Sequence, residues 1–223
     1  MEAARMGGRE ADVAPAPDPT AGRSAGWTPA DPGPLGLAGF ALTTFVLSMI
    51  NANLVGGGVA TASGIVIGLA LAYGGIAQLV AGIWEFRTGN TFGATAFCSF
   101  GAFWISFYVL LHIGATAIPK SELFSAVGLY LWAWGIFTGY MFIASLRTTG
   151  AVALVFLLLT ITFVILGIGN SALSGGTAVT NGTVKLGGYF GIATAAAAWY
   201  ASFAAVTNST FGRPVIPVFP LKR

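Results

Sequence analysis

"FRTGNTFGATAFCSFGAFW", residues 86–104, holds three glycines, five phenylalanines and a tryptophan, and no charge after Arg87. In water each interior glycine weakens a helix by about 1 kcal/mol relative to alanine. In lipid the argument reverses: helices there associate by close packing, and small residues let backbones approach. The stretch therefore decides the fold once its solvent is known.

Composition settles the solvent. The chain is 56% hydrophobic and only 8% charged, with a mean hydropathy of +0.81. A soluble domain carries about 25% charged residues, so this chain cannot cover a globule with polar surface. No charge occurs at 36–83, 88–119, 123–146, 148–184 or 186–212. Apolar gaps of that length read as membrane spans. Their breaks place six helices at 35–54, 62–84, 91–112, 123–145, 151–168 and 186–207. Each is roughly the 20 residues that cross a hydrocarbon core. The alternating ten-residue segments of a β-barrel do not occur, so an all-α membrane protein is predicted.

Lys and Arg set the orientation. Arg5, Arg9, Arg23, Arg87, Arg147, Arg213, Lys222 and Arg223 fall on one side, and Lys120 and Lys185 on the other. The positive-inside rule makes both N- and C-termini cytoplasmic. The net charge of +3 is then an orientation signal, and no basic patch with interleaved aromatics suggests nucleic acid. Residues 1–30 are rich in Ala, Pro and Gly and read as a disordered cytoplasmic tail without the apolar run of a signal peptide. Residues 31–212 form the transmembrane domain and 213–223 a second cytoplasmic tail. The absence of a targeting signal is compatible with the plasma (inner) membrane of a prokaryote.

Enzyme chemistry has little to stand on. His112 is the only histidine and Cys98 the only cysteine, so neither a metal site nor a catalytic triad can be assembled from them. No cofactor motif is present: "GNTFG" lacks the lysine and preceding strand of a phosphate loop. The prediction is a protein that is not an enzyme and holds no metal or cofactor. Glu85 is the one carboxylate bordering a span interior. It reads either as a functional intramembrane charge or as a local ion pair with Arg87.

The small and polar residues carry more. Small-xxx-small pairs at Gly64/Gly68, Gly89/Gly93, Gly135/Gly139 and Gly187/Gly191 read as packing seams, some between subunits. Thr43, Thr44, Ser48 and Asn51 recur along the first helix. Thr91, Thr95, Ser99 and Ser106 trace a face of the third. Thr160 and Asn170 lie on the fifth, and Gln78 inside the second. Any one hydroxyl can satisfy itself on the carbonyl four residues back. Together they permit a narrow, uncharged, hydrogen-bonding path for a small solute.

Four stretches resemble one family. "DPGPLGLAGF" (31–40) is similar to the N-P-A-P-L-G-L signature of the acetate uptake transporters, also called succinate–acetate permeases. "YGGIAQLVAGIWEFRTGNTFGATAFCSFGAFW" (73–104) resembles their central block, and "LGIGN" (166–170) and "FGRPVIP" (211–217) match its later motifs. The resemblance implies six helices per protomer around a central pore. It also implies assembly as a ring, a homo-oligomer and specifically a hexamer, in membrane lipid. The expected activity is transport of acetate and related short-chain carboxylates, succinate among them, by channel-like passage or proton symport. The family's Phe–Leu–Tyr constriction falls on Phe40, Leu159 and Phe100, so its tyrosine is replaced here by phenylalanine. Asp31 and Gly33 replace Asn and Ala of the signature. Substrate-binding candidates are Thr43, Thr44, Gln78, Glu85, Asn90, Thr91, Thr95, Thr160 and Asn170. Asn90 opens the third helix, where free backbone N–H groups and the helix dipole favour a carboxylate. A membrane acetate sensor without bulk transport, and a structural membrane protein that conducts nothing, are the other readings.

Overall fold

Among the described residues the chain is all helical, apart from one isolated bridge between Thr149 and Pro220. The computed structural model describes residues 27, 29–55, 58–173 and 180–221, with backbone alone at 58–63. The tail expected at 1–30 lies outside the described residues except at 27, 29 and 30. Six segments are long and apolar enough to cross a membrane: Gly33–Asn51, Gly64–Thr88, Thr91–Ala117, Leu123–Ser145, Gly150–Ser171 and Gly182–Phe211. Their number and order are those the charge-free gaps predict. The ends differ. The third span runs five residues past His112 and the sixth extends at both ends, because polar residues such as Asn208 and Thr183 sit comfortably in helix where the membrane interface provides water.

The elements are α1 (Gly33–Asn51), α2 (Gly58–Leu71), a π-helical segment Ala72–Ala77, α3 (Gln78–Thr88), α4 (Thr91–Val109), a second π segment Leu110–Gly114, α5 (Ala115–Ala117), α6 (Leu123–Ser145), α7 (Gly150–Ser171) and α8 (Gly182–Phe211). The second span is thus α2, π segment and α3 in sequence, and the third is α4, π segment and α5. Helix α7 packs between α6 and α8, α8 packs on α1, α1 on the second span, and α3 on α4. Helices α4 and α6 barely touch along their backbones. Rings fill the space instead, with Phe103 5.2 Å from Trp134 and Phe100 5.4 Å from Phe137.

The glycines of the opening stretch have separate roles. Gly89 ends α3 in the left-handed conformation, φ 77°, which glycine adopts without strain. This corrects its reading as half of a packing seam. A Cβ on Gly101 would meet the Leu79 backbone nitrogen at 2.7 Å, so here α3 and α4 do approach backbone to backbone. The first π segment arises at a similar contact: a Cβ on Gly39 would lie 2.6 Å from the Tyr73 carbonyl, and one on Gly74 2.7 Å from Thr43 Oγ1. Gly187 packs on Leu166 and Gly191 on Ser48, whereas a Cβ on Gly64 or Gly68 would meet nothing within 4 Å among the described residues.

The hydroxyls largely satisfy themselves. Thr43, Thr138, Thr160, Thr162 and Thr194 each donate to the carbonyl four residues back, at 2.7–2.9 Å. His112, in the second π segment, lies edge-on to Tyr108 at 4.7 Å.

Candidate functional site: three cavities in series

The antiparallel order of the spans brings the start of α1, the end of α3, the start of α4, the end of α6, the start of α7 and the end of α8 to one end of the bundle. Arg87, Arg147 and Arg213 are there; Lys120 and Lys185 are at the other. Three cavities run between these ends. A vestibule of about 500 Å³ opens at the arginine end, with Asp31, Glu85, Asn90, Thr149 and Asn208 in its wall. A void of about 20 Å³ follows, walled by Phe40, Gln78, Phe100, Val155 and Leu159. Beyond it lies a cavity of about 210 Å³ bordered by Thr44, Ser48, Asn51, Trp104, Thr162 and Asn170. Leu37, Ala96, Phe97 and Phe156 border both vestibule and void, and Phe40 and Leu159 border both void and far cavity. The three spaces therefore lie end to end, with the smallest in the middle.

The neck is built by three helices. Phe40 comes from α1, Phe100 from α4 and Leu159 from α7, and each is at most 4% exposed. The Phe40 and Phe100 rings are 5.7 Å apart and tilted by 56°, a favourable aromatic arrangement. Phe100 also touches Trp134, Phe137 and Phe156, so its position is held from all around. A void of 20 Å³ has room for about one water molecule. Gln78, 1% exposed, faces it from the start of α3 just after the π segment, and its Oε1 has no hydrogen-bond partner. An acceptor left unpaired in an apolar neck is costly.

At the vestibule, Asn90 caps α4 through its side-chain oxygen, which accepts the Gly93 N–H at 3.1 Å. Asp31 Oδ1 accepts the Gly33 N–H at 2.9 Å at the entry of α1, a local turn one residue ahead of the N-cap Pro32. Glu85 is only 2% exposed, and its Oε2 accepts from Thr88 at 3.1 Å. Its pairing with Arg87, one of two readings open from the sequence, does not form: Arg87 reaches the Trp27 carbonyl at 3.0 Å, beside a Trp27–Trp84 ring contact. The chain beyond α8 folds back over this end. Gly150 and Ala151 N–H groups, at the start of α7, donate to the Phe219 and Val218 carbonyls at 2.7 and 3.3 Å. The Asn208 side chain holds the turn through Val215 and Ile216.

Of the candidate residues, Phe40, Phe100, Leu159 and Gln78 meet at the neck, Glu85 and Asn90 at the vestibule, and Thr44 and Asn170 at the far cavity. Thr43, Thr91, Thr95 and Thr160 border none of the three cavities; Thr43 and Thr160 are turned onto their own helices. Trp104, Thr162 and Asn208 belong to the cavity walls and were not singled out in the sequence. Trp104 had a signal: it follows Phe100 by the same four residues that separate Phe40 from Thr44.

The sequence profile described as the GPR1/FUN34/yaaH family matches residues 16–223. The chain belongs to the GPR1/FUN34/yaaH family. Within it, the chain is 43% identical over 198 residues to acetate permease A of Emericella nidulans, a match covering 85% of this chain and 65% of that protein. The succinate-acetate/proton symporter SatP of Escherichia coli strain K12 is 38% identical over 192 residues, covering 85% of this chain and 95% of that one. A solved structure of the bacterial acetate channel SatP superposes with a TM-score of 0.74 at 36% identity, over 85% of this chain and 99% of that chain. The chain spans about two thirds of the length of the fungal permease. The six-span helical fold is therefore that of its family.

Proposed function

We propose that this chain carries acetate and related short carboxylates across a membrane through the three cavities, each protomer having its own path. The observation that carries the reading is the serial arrangement itself: two wide spaces joined by an apolar neck that has one unpaired amide oxygen. Relatives named as an acetate permease, a succinate-acetate/proton symporter and an acetate channel support it. A sensor that transports nothing would have no use for a continuous series of cavities.

Charge distribution favours passage together with a proton. Among the described residues no Lys or Arg borders any of the three cavities, while Asp31 and Glu85 border the vestibule. A carboxylate in the neck would lose its water with no counter-charge to replace it, which is expensive. Passage as the acid, or with a co-transported proton, avoids that cost.

Both termini lie on the cytoplasmic side in this reading, with the arginine end facing the cytoplasm, in the plasma membrane of a prokaryote. Residues 31–212 form the transporting unit, and 1–30 and 213–223 its tails. Protomers close into a ring, a hexamer. Open space over Gly64 and Gly68 and large exposed side chains such as Leu129, Ile136 and Ile143 leave apolar surface for neighbouring copies or lipid to cover.

The test is radiolabelled acetate uptake into liposomes holding the purified protein, at fixed total acetate and several external pH values. A short carboxylic acid titrates near a glutamate side chain, about pH 4.3, so its neutral fraction rises roughly a hundredfold from pH 7 to pH 5. Uptake should rise over that range. No uptake above empty liposomes at any pH would sink the transport reading, and uptake independent of pH would sink the proton.

A further inference from the structure

The six spans follow one another around the bundle as α6, α7, α8, α1, the second span and α4, which comes back to α6. Glycines bring most of these backbones together. A Cβ on Gly128 of α6 would run into Ser171 of α7, and one on Gly135 would meet Phe163 Cβ at 3.5 Å. Gly82 and Gly101 do the same between α3 and α4, at the Cys98 and Leu79 backbones. Among the described residues no glycine makes such an approach between α4 and α6. Aromatic rings span that joint. Tyr130, Trp134 and Phe137 recur on α6 at spacings of four and three, so they share one helix face. Phe100, Phe103 and Phe107 do so on α4. Phe103 stacks on Tyr130 at 5.7 Å and stands edge-on to Trp134, while Phe100 lies 6.0 Å from Trp134. Ring pairs tolerate centroid separations from about 4.5 to 7 Å, so they fill the joint without fixing it. At Tyr130 a directional link crosses. Its hydroxyl donates to the Phe103 carbonyl at 3.0 Å and lies 2.7 Å from Ser106 Oγ. A hydroxyl of α6 thus reaches the main chain of α4.

We propose that Tyr130 is a positioning residue for the neck: its hydroxyl locks α4 to α6 and so fixes how far Phe100 stands from Leu159. The joint divides the neck. Phe100 rides on α4, whereas Leu159 rides on α7, against which α6 is packed. Play between α4 and α6 therefore changes the separation of the two side chains. Tyr130 itself borders none of the three cavities. It acts through α4, where Phe103 is held at its carbonyl and Phe100 is less than one turn away. The void between the neck residues has room for about one water, so a small displacement of Phe100 alters what fits. The inference rests on the reading that the path carries carboxylates, and it places part of the substrate selection in a side chain outside the path.

Tyr130→Phe keeps the ring and loses the link. An average interhelical hydrogen bond in lipid corresponds to about a threefold change in an equilibrium, so the joint should be open about three times as often. The first readout is the distance between spin labels at Ala102→Cys on α4 and Ala133→Cys on α6, both exposed positions, in a Cys98→Ser background. Tyr130→Phe should broaden that distribution toward longer distances. The second is liposome uptake of labelled acetate and succinate by unlabelled, folded protein, where the succinate-to-acetate ratio should rise about threefold. Tyr189→Phe, which removes a hydroxyl from an exposed residue of α8, should keep the parent's ratio, and a mere loss of stability would lower both uptakes together. An unchanged label distribution overturns the proposal, as does a parent-like ratio in a folded Tyr130→Phe protein whose joint has loosened. A loosened joint where the parent takes up neither solute leaves the lock standing and removes the transport reading. If Tyr130→Phe does not fold, Ser106→Ala, which strips the second partner of the hydroxyl, is judged by the same two readouts.

Discussion

Replacing Leu159 by alanine is the sharpest perturbation of the proposed path. Leu159 is 4% exposed and borders both the 20 Å³ void and the 210 Å³ cavity, so truncating it merges the two. The parent neck admits about one water, and a dianion such as succinate must give up nearly all its hydration to pass. Each hydrogen bond to a charged group is worth about 1.5–3 kcal/mol. If the opened neck lets even one water accompany the solute, the barrier falls by that much, and passage speeds at least about tenfold. The same truncation costs stability, about 2–5 kcal/mol for a buried leucine in soluble proteins, so folding must be measured beside flux. The assay is uptake of labelled acetate and labelled succinate into liposomes by parent, Leu159→Ala and Phe40→Ala proteins, each checked by size-exclusion profile and thermal melting. The expected result is a succinate-to-acetate ratio raised about tenfold or more. Well-folded variants that keep the parent's substrate range would show that these side chains do not line the path, and the assignment of the neck would fail.

Phe100→Tyr should be tolerated and should raise acetate passage, because the new hydroxyl shares the void with the unpaired Gln78 Oε1; a melting temperature lowered as for an unpaired buried hydroxyl, about 1–3 kcal/mol, would show that no partner is reached. Asn90→Ala should cost about 1 kcal/mol of stability through the lost cap and reduce uptake by more than the loss of folded protein. Asn90→Ser restores the cap, so full recovery of uptake with it would make Asn90 a cap and nothing else. Asn208→Ala removes the hydrogen bonds to Val215 and Ile216, each worth about 0.5–1.5 kcal/mol. Hydrogen exchange at residues 215–221 should quicken while the helices stay protected, and unchanged protection there would contradict the bracing role.

What could be read from the sequence depended on the range of the signal. The six spans follow from charge-free length, a local property, and their number and order agree with the structure. Their ends do not, because Gly182–Phe211 continues as helix well past the apolar run. The π segments were invisible: each glycine of Tyr73-Gly74-Gly75 could have been an ordinary packing residue, and only the structure shows that the first π segment lies where Gly39 comes close to the Tyr73 carbonyl. The neck could not be chosen from periodicity, since Phe40 and Phe100 are two of seventeen phenylalanines; the family resemblance picked them out, and the fold brings them within 5.7 Å of each other. Polar candidates divided according to a choice the sequence does not encode. Thr43 and Thr44 are neighbours, yet one hydroxyl turns onto its own helix and the other is left unpaired. Trp104 was hidden by its type, because a tryptophan in a span reads first as apolar bulk.

The distribution of charge ties the fold to the proposed function. A membrane helix bundle must satisfy or exclude every polar group in its core, and among the described residues no charged side chain borders the neck or the far cavity. Had a lysine or arginine stood at the neck, it would have held a carboxylate too tightly to release, since conduction needs binding weak enough to leave. Had the neck been wide and wet, hydrated ions would follow the solute. An apolar constriction with a single amide, flanked on one side by capped helix ends, avoids both. In the proposed reading the solute sheds its water briefly and carries its own proton. The glycines of residues 86–104 serve that end: Gly101 lets α4 press against α3, and this contact sets Phe100 and Gln78 on the walls of the same void.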